Sequence, residues 1–157
     1  MTQCYLLDTN LLIAVFDKHA TTSDQEKKAA QQQLEALLID DDVALSISSL
    51  IRYEVLRGIG WLDSERLTRL VDILNRFEEF DINQDISMLA ADLYRFDAFQ
   101  TQKMQQSRNL EKKKLDVFHF ATAQLNGLTL ASADTDIAKV EKLHGSYLEE
   151  KKLQNNI

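Results

Sequence analysis

The sequence predicts an α/β fold in which a short parallel sheet is flanked by helices. Short apolar segments alternate along the chain with longer segments of helical periodicity, and this alternation is typical of a parallel sheet. The chain has no proline and only 4 glycines, so few residues would interrupt a helix. Its 157 residues are enough for one compact core, and we expect residues 1–157 to form a single domain.

Four short segments have the pattern of strands. Residues 4–8 are an apolar run that ends on an acid, and residues 43–47 form the second run. Residues 77–82 alternate between apolar and acidic side chains, which favours a strand. Residues 128–131 form a last short apolar run. Strands this short, separated by helical segments, favour parallel pairing.

The segments between these strands are predicted to be helices because they carry capping residues and apolar side chains at helical spacing. Ser48 or Ser49 can cap one helix, and Asn126-Gly127 can end another. Asp116 lies at the start of the latter helix, which we expect to begin near Leu115. One expected helix begins at caps in residues 21–24 and ends near residue 38, and a last one follows an acidic turn at the end of the chain. The other expected helices cover residues 10–17, 49–58, 64–76, 85–105 and 115–124.

Composition excludes several classes of protein. Hydrophobic residues make up 45% of the chain, which is too many for a mainly disordered protein. The apolar runs, such as residues 11–16, are far shorter than the roughly 20 residues that span a membrane. The N-terminus lacks the basic segment of a signal peptide, and the single cysteine, Cys4, cannot form an intramolecular disulfide. We therefore expect a cytoplasmic protein without membrane contact.

The charge is unevenly distributed. The net charge is −7, whereas nucleic-acid-binding domains are usually basic. Residues 103–114 nevertheless contain five basic side chains and one acid, and the rest of the chain has 13 basic and 24 acidic side chains. This basic segment is either a solvated helix face or loop, or a surface that contacts phosphates.

Four acids stand at or near the predicted sheet edge where active sites of parallel α/β proteins gather. Asp8 ends the first strand, Asp134 follows the last one, and Glu54 and Asp116 lie on helices that can pack over that edge. Singly, each aspartate can be a helix cap, and Glu54 can pair with Arg52 or Arg57. Together they would repel one another unless cations held them, and oxygen ligands suit Mg²⁺ or Mn²⁺.

The three histidines show no zinc-binding pattern with Cys4. His119 follows Asp116 by three residues and therefore shares its helix face. His119 can therefore have a structural or a chemical role, and we favour the structural one.

Four segments, in the same order, are similar to motifs of PIN-domain ribonucleases, particularly the VapC-type toxins of bacterial toxin–antitoxin pairs. Ser132 and Ile137 replace the threonine and phenylalanine that are usual in that family. The segments are residues 6–10 (Leu-Leu-Asp-Thr-Asn), residues 45–58 with a serine-rich turn, a helical glutamate and a glycine, residues 115–123 with an Asp-x-x-x-x-Ala-Thr-Ala pattern, and residues 131–137 (Ala-Ser-Ala-Asp-Thr-Asp-Ile).

The resemblance implies a PIN-like α/β/α sandwich that hydrolyses RNA phosphodiester bonds with Mg²⁺ or Mn²⁺. It implies that Asp8 and Asp116 are the main metal ligands and that Glu54 and Asp134 complete the site, directly or through water. The expected supporting residues, which would orient ligands or water, are Thr9, Asn10, Ser132 and Asp136, and the candidates for RNA contact are Lys112, Lys113 and Lys114.

The resemblance also implies a cognate antitoxin as partner, and a homodimer. The apolar side chains near Trp61 are a candidate contact surface, although packing in the core is the default interpretation. We expect Asp8→Ala or Asp116→Ala to abolish cleavage while stability is kept or raised, because one repelling charge is removed.

Two alternatives remain. A haloacid-dehalogenase-like phosphatase also has an aspartate after its first strand, but it needs a second one two residues later, where this chain has Asn10. A non-catalytic interaction module could share the toxin-like fold, although the four acids count against it. A metal-dependent RNase assay with Asp8→Asn as control distinguishes the enzyme from the module.

Overall fold

The computed structural model describes residues 2–17, 22–104, 110–132 and 136–155, with the side chains of residues 102–104, 110–112 and 136 excepted. Strands and helices alternate in the predicted order over these residues. The strands are β1 (Gln3–Leu7), β2 (Val43–Ser48), β3 (Glu78–Phe80) and β4 (Thr129–Ala131). The helices are α1 (Thr9–Phe16), α2 (Asp24–Leu38), α3 (Ser49–Arg57), α4 (Ser64–Leu74), α5 (Gln84–Met104), α6 (Leu110–Leu125) and α7 (Asp136–Asn155).

The described strands form one parallel sheet in the order β3-β2-β1-β4. The chain builds the sheet outward from β1 through β2 to β3, and then returns to place β4 on the other side of β1. The strand order therefore reverses between β1 and β4, and the carboxyl ends at such a reversal form the crevice where α/β proteins bind ligands. The predicted α/β class, with a parallel sheet among helices, is confirmed.

Two apolar clusters stabilise this arrangement. One packs the sheet against α1 to α4, with Leu6, Ile47 and Leu70 fully or almost fully buried. The other joins α5, α6 and α7 through residues such as Leu93 and Val140. No described helix has the length and apolar content needed to cross a membrane.

Local signals in the sequence account for several element boundaries. The Ser48 hydroxyl accepts a hydrogen bond from the Ile51 amide at 3.1 Å and so caps α3. Gly127 ends α6 with φ at 66°, a conformation that favours glycine. The Leu128 amide then donates to the Ala123 carbonyl at 2.8 Å, which closes the helix end.

The predicted start of α6 is wrong. This helix begins at Leu110, and not near Leu115, so it includes the three lysines and places Asp116 inside the helix. Asp116 is therefore not the helix cap that its sequence position also suggested. Lysine and glutamate are good helix formers, so the charged segment continues the helix. The strand expected over residues 77–82 is also shorter, because only Glu78–Phe80 pairs with β2.

Candidate active site

Asp8 lies at the carboxyl end of β1, at the reversal point of the sheet, and only 7% of it is exposed. Its Oδ1 accepts a hydrogen bond from the Thr9 amide at 2.8 Å and caps α1. Its Oδ2 accepts one from the Ser132 hydroxyl at 2.7 Å. Each carboxylate oxygen can accept more than one bond, so both retain capacity for another ligand. Asp8 is thus held in place without being fully occupied.

Ser132 connects Asp8 to the end of β4 and to α2. The amide of Asp8 donates to the Ala131 carbonyl at 2.9 Å, which aligns the two strand ends. The Ser132 carbonyl in turn accepts a hydrogen bond from Gln33 Nε2 at 3.1 Å. Gln33 lies on α2 and was not among the site residues predicted from the sequence. This hydrogen bond holds Ser132, the residue that follows β4, in place beside Asp8.

Glu54 contacts His119, and this contact joins α3 to α6. The Oε1 atom of Glu54 and the Nε2 atom of His119 are within hydrogen-bonding distance, although they are 65 residues apart in sequence. The Glu54 side chain is 13% exposed, and His119 is 2% exposed. The alternative pairing of Glu54 with arginine is not observed, because Arg52 pairs with Glu79 at 2.6 Å and Arg57 lies over the Tyr53 ring.

His119 was interpreted from the sequence as structural, and the structure gives it a contact that the sequence did not indicate. Its position on the Asp116 face was visible, but nothing in the spacing showed that it would meet a glutamate from another helix. Its Nδ1 atom is buried and has no hydrogen-bond partner among the described residues. Asp116 is partly buried and lies three residues before His119 on α6, which places the two side chains on the same face of that helix.

The chemistry of these side chains fits a hard divalent cation. Asp8, Glu54 and Asp116 offer only carboxylate oxygens, which are the ligands that Mg²⁺ and Mn²⁺ prefer. Considered over the described residues alone, no group of three or more histidine, cysteine, aspartate or glutamate side chains is arranged to hold a metal ion. The fourth predicted ligand, Asp134, lies outside the described residues. The described part of the chain thus supplies suitable ligands and not a finished site.

The predicted supporting residues differ in their surroundings. Thr9 is buried, and its hydroxyl has no hydrogen-bond partner within the described part of the chain, whereas its amide binds Asp8. Asn10 is exposed, and Ser132 contacts Asp8 directly. The side chain of Asp136 lies outside the described residues, as does that of Lys112.

The basic segment is partly engaged in the fold. The Lys113 ammonium pairs with the Asp97 carboxylate of α5 at 3.9 Å, and both side chains are largely buried. Lys114 is exposed. The guanidinium of Arg95, an exposed basic group on α5, lies 3.4 Å from the Asp92 carboxylate. Of the two described lysines of the predicted RNA surface, Lys114 is therefore the more exposed.

The turn between α3 and α4 exposes large apolar side chains. Trp61 is 98% exposed and Leu62 is 92% exposed, so the default expectation that they pack in the core is wrong. Leu67, on the next helix, is also exposed. By contrast, Leu70 is buried because it faces the cluster under the sheet. Some of the large apolar side chains in this region are thus on the protein surface and others are in the core.

Comparison with known proteins gives one family and several similar structures. The family model described as the PIN domain matches residues 5–143. A comparison with curated protein sequences gives no significant match. Three similar structures are VapBC2 from Rickettsia felis bound to a DNA fragment from its promoter, a toxin–antitoxin complex from Klebsiella pneumoniae, and FitAcB from Neisseria gonorrhoeae.

These structures are similar over most of the chain. The Rickettsia structure is 16% identical with a TM-score of 0.54, and the match covers 84% of this chain and 100% of that one. The Klebsiella structure is 27% identical with a TM-score of 0.50, covering 80% and 82%. The Neisseria structure is 18% identical with a TM-score of 0.58, covering 87% and 93%. Since the family model spans most of the sequence and the sheet carries Asp8 at its reversal point, the chain belongs to the PIN domain family.

Proposed function

We propose that the protein is a metal-dependent endoribonuclease that hydrolyses RNA phosphodiester bonds and acts as the toxin of a toxin–antitoxin pair. PIN domains are typically nucleases, which supports a hydrolase acting on nucleic acid. The observation that carries the proposal is Asp8, a nearly buried carboxylate at the ligand-binding edge of the sheet with each oxygen held by one hydrogen bond. A helix cap needs only the hydrogen bond from the Thr9 amide, and the second one comes from Ser132, which follows β4.

Each acid has a role in this proposal. Asp8 and Asp116 hold Mg²⁺ or Mn²⁺, and Glu54 and Asp134 complete the site directly or through water. When bound, the metal ion lowers the pKa of a water molecule and stabilises charge on the phosphate and the leaving oxygen. Thr9, Asn10, Ser132 and Asp136 orient the ligands or water. The lysines at the start of α6, of which Lys114 is exposed, attract the RNA backbone from the rim of an acidic site.

The proposed partner is a cognate antitoxin. Two of the similar structures are described as a toxin–antitoxin complex and as VapBC2, and this supports the same kind of partner here. The exposed Trp61 and Leu62 side chains supply an apolar surface suited to a protein contact, and we expect them to contribute to a homodimer. The proposed substrate and partner place the protein in the cytoplasm.

Cleavage of RNA by the purified protein tests the proposal. We expect total cellular RNA to be cut in the presence of Mg²⁺ or Mn²⁺, and cleavage to stop on chelation or in Asp8→Asn. Asp41→Asn, in an exposed turn, is the matched control and should retain activity. Absence of cleavage together with absence of Mn²⁺ binding by calorimetry would select the non-catalytic module. Membership of the PIN domain family gives no support to the phosphatase alternative.

A further inference from the structure

His119 occupies an unusual position for a buried polar side chain. It lies on α6 between Val117 and Phe120, all three within the interior, yet its ring reaches a carboxylate of α3. A buried polar group without a partner is costly, so a histidine at this place needs the Glu54 contact. Leucine or isoleucine would fill an apolar site of similar size with no such requirement. The histidine is therefore explained by Glu54 and not by packing.

The contact fixes both the ring and the carboxylate. Because a carboxylate oxygen only accepts hydrogen bonds, Nε2 of His119 carries the hydrogen that is donated to Oε1. Nδ1 of the same ring is buried and has no hydrogen-bond partner within the described residues. Oε2 of Glu54 makes no hydrogen bond with any residue that the structure describes, and so remains available to another ligand.

We propose that His119 is a positioning residue, whose Nε2–H holds the Glu54 carboxylate in one orientation with Oε2 free for the metal ion or its water. This inference rests on the proposed function, since it assigns Glu54 to a metal site. Residues that orient metal ligands by hydrogen bonding typically change metal affinity by about 10- to 100-fold when they are removed. His119 also links Glu54 to the helix that carries Asp116, so one contact aligns ligands from two helices.

Two substitutions separate hydrogen bonding from packing. His119→Leu fills the space but donates no hydrogen bond, whereas His119→Gln keeps an N–H donor at a similar reach. Mn²⁺ affinity is measured by calorimetry on the purified full chain, and thermal unfolding without metal reports the fold. We expect His119→Leu to weaken Mn²⁺ binding by about 10- to 100-fold and His119→Gln to restore it to within a few-fold of the original protein.

A double substitution distinguishes positioning from a general structural effect. In a Glu54→Gln background, His119→Leu should change Mn²⁺ affinity little further, because the carboxylate it positions is already gone. His144→Leu is the matched control, since His144 contacts the Phe120 and Tyr147 rings and, among the described residues, pairs with no carboxylate, and it should leave affinity unchanged.

The outcomes are distinct. Equal Mn²⁺ affinity in His119→Leu and the original protein, or an equal loss in the presence and absence of the Glu54 carboxylate, would overturn the role of His119 alone. Failure of Gln to restore affinity in a variant that unfolds like the original protein would also overturn it. If the original protein binds no Mn²⁺ at all, the proposed function and the role of His119 both fail.

Discussion

Replacing Asp8 with alanine should destabilise the protein as well as inactivate it, whereas asparagine should inactivate it alone. The expectation from the sequence was that losing one repelling carboxylate leaves stability unchanged or higher. The structure gives Asp8 two hydrogen bonds, with the Thr9 amide and the Ser132 hydroxyl, and alanine removes both. Asparagine can accept the first with its Oδ1 and donate to the Ser132 oxygen with its Nδ2, so it retains the cap and the link to β4.

The expected loss can be worked out from these two contacts. Loss of a helix N-cap costs about 1 kcal/mol, and loss of a hydrogen bond to a nearly buried group costs about 1 kcal/mol or more. Relief of charge repulsion offsets part of this in the metal-free protein. A net loss of about 1–2 kcal/mol lowers the melting temperature of a chain of this size by roughly 2–8 °C.

Thermal unfolding in the presence of a chelator measures this difference, and RNA cleavage with Mn²⁺ measures activity. We expect Asp8→Ala to melt several degrees below the original protein and Asp8→Asn to melt close to it, with both inactive. An alanine variant as stable as the original protein would show that repulsion among the carboxylates outweighs the two hydrogen bonds. Cleavage by Asp8→Asn at the original rate would refute the role of Asp8 itself.

Three further predictions concern other parts of the molecule. Changing residues 112–114 to glutamine should weaken RNA binding and flatten its salt dependence without altering Mn²⁺ affinity. Lys114→Gln alone should account for part of this effect, because Lys113 pairs with Asp97. An unchanged salt dependence of RNA binding would exclude this surface. Burial and the hydrogen bond to Asp92 raise the pKa of Tyr147 to about 12, so the free energy of unfolding should fall as pH rises from about 10 to 12, and Tyr147→Phe should remove that fall. Trp61→Ser with Leu62→Ser should shift a dimer towards monomer in light scattering at unchanged melting temperature, and a monomeric original protein would contradict the dimer.

The fold could be predicted because its determinants are local. Strands β1, β2 and β4 are short and largely apolar, and residues such as Ser48 and Gly127 mark helix ends by their own side-chain or backbone preferences. The start of α6 was predicted incorrectly because its first turns are polar and therefore lack the apolar periodicity that indicates a helix. The exposure of Trp61 could not be predicted either, since burial depends on how far the turn projects from the packed helices.

The candidate site could be predicted only in part, because some of its contacts depend on local sequence and others on how distant helices pack. The position of Asp8 follows from strand order, because any residue just after β1 reaches the carboxyl edge of a parallel sheet. The Glu54–His119 contact depends on how α3 and α6 meet across 65 residues of chain, and neither helix carries a pattern that specifies this. The link from Gln33 to the Ser132 carbonyl is likewise a product of tertiary packing.

The contacts of Asp8 and Glu54 show how the fold itself accommodates two of the proposed metal ligands. Asp8 has a neutral donor on each oxygen, and Glu54 has a histidine ring, so both carboxylates are partly compensated by the fold itself. The donors come from Ser132 after β4, from the first residue of α1 and from α6, which are separate in sequence. Folding alone therefore orients these two carboxylates, and the proposed metal ion would bind side chains that are already held in place.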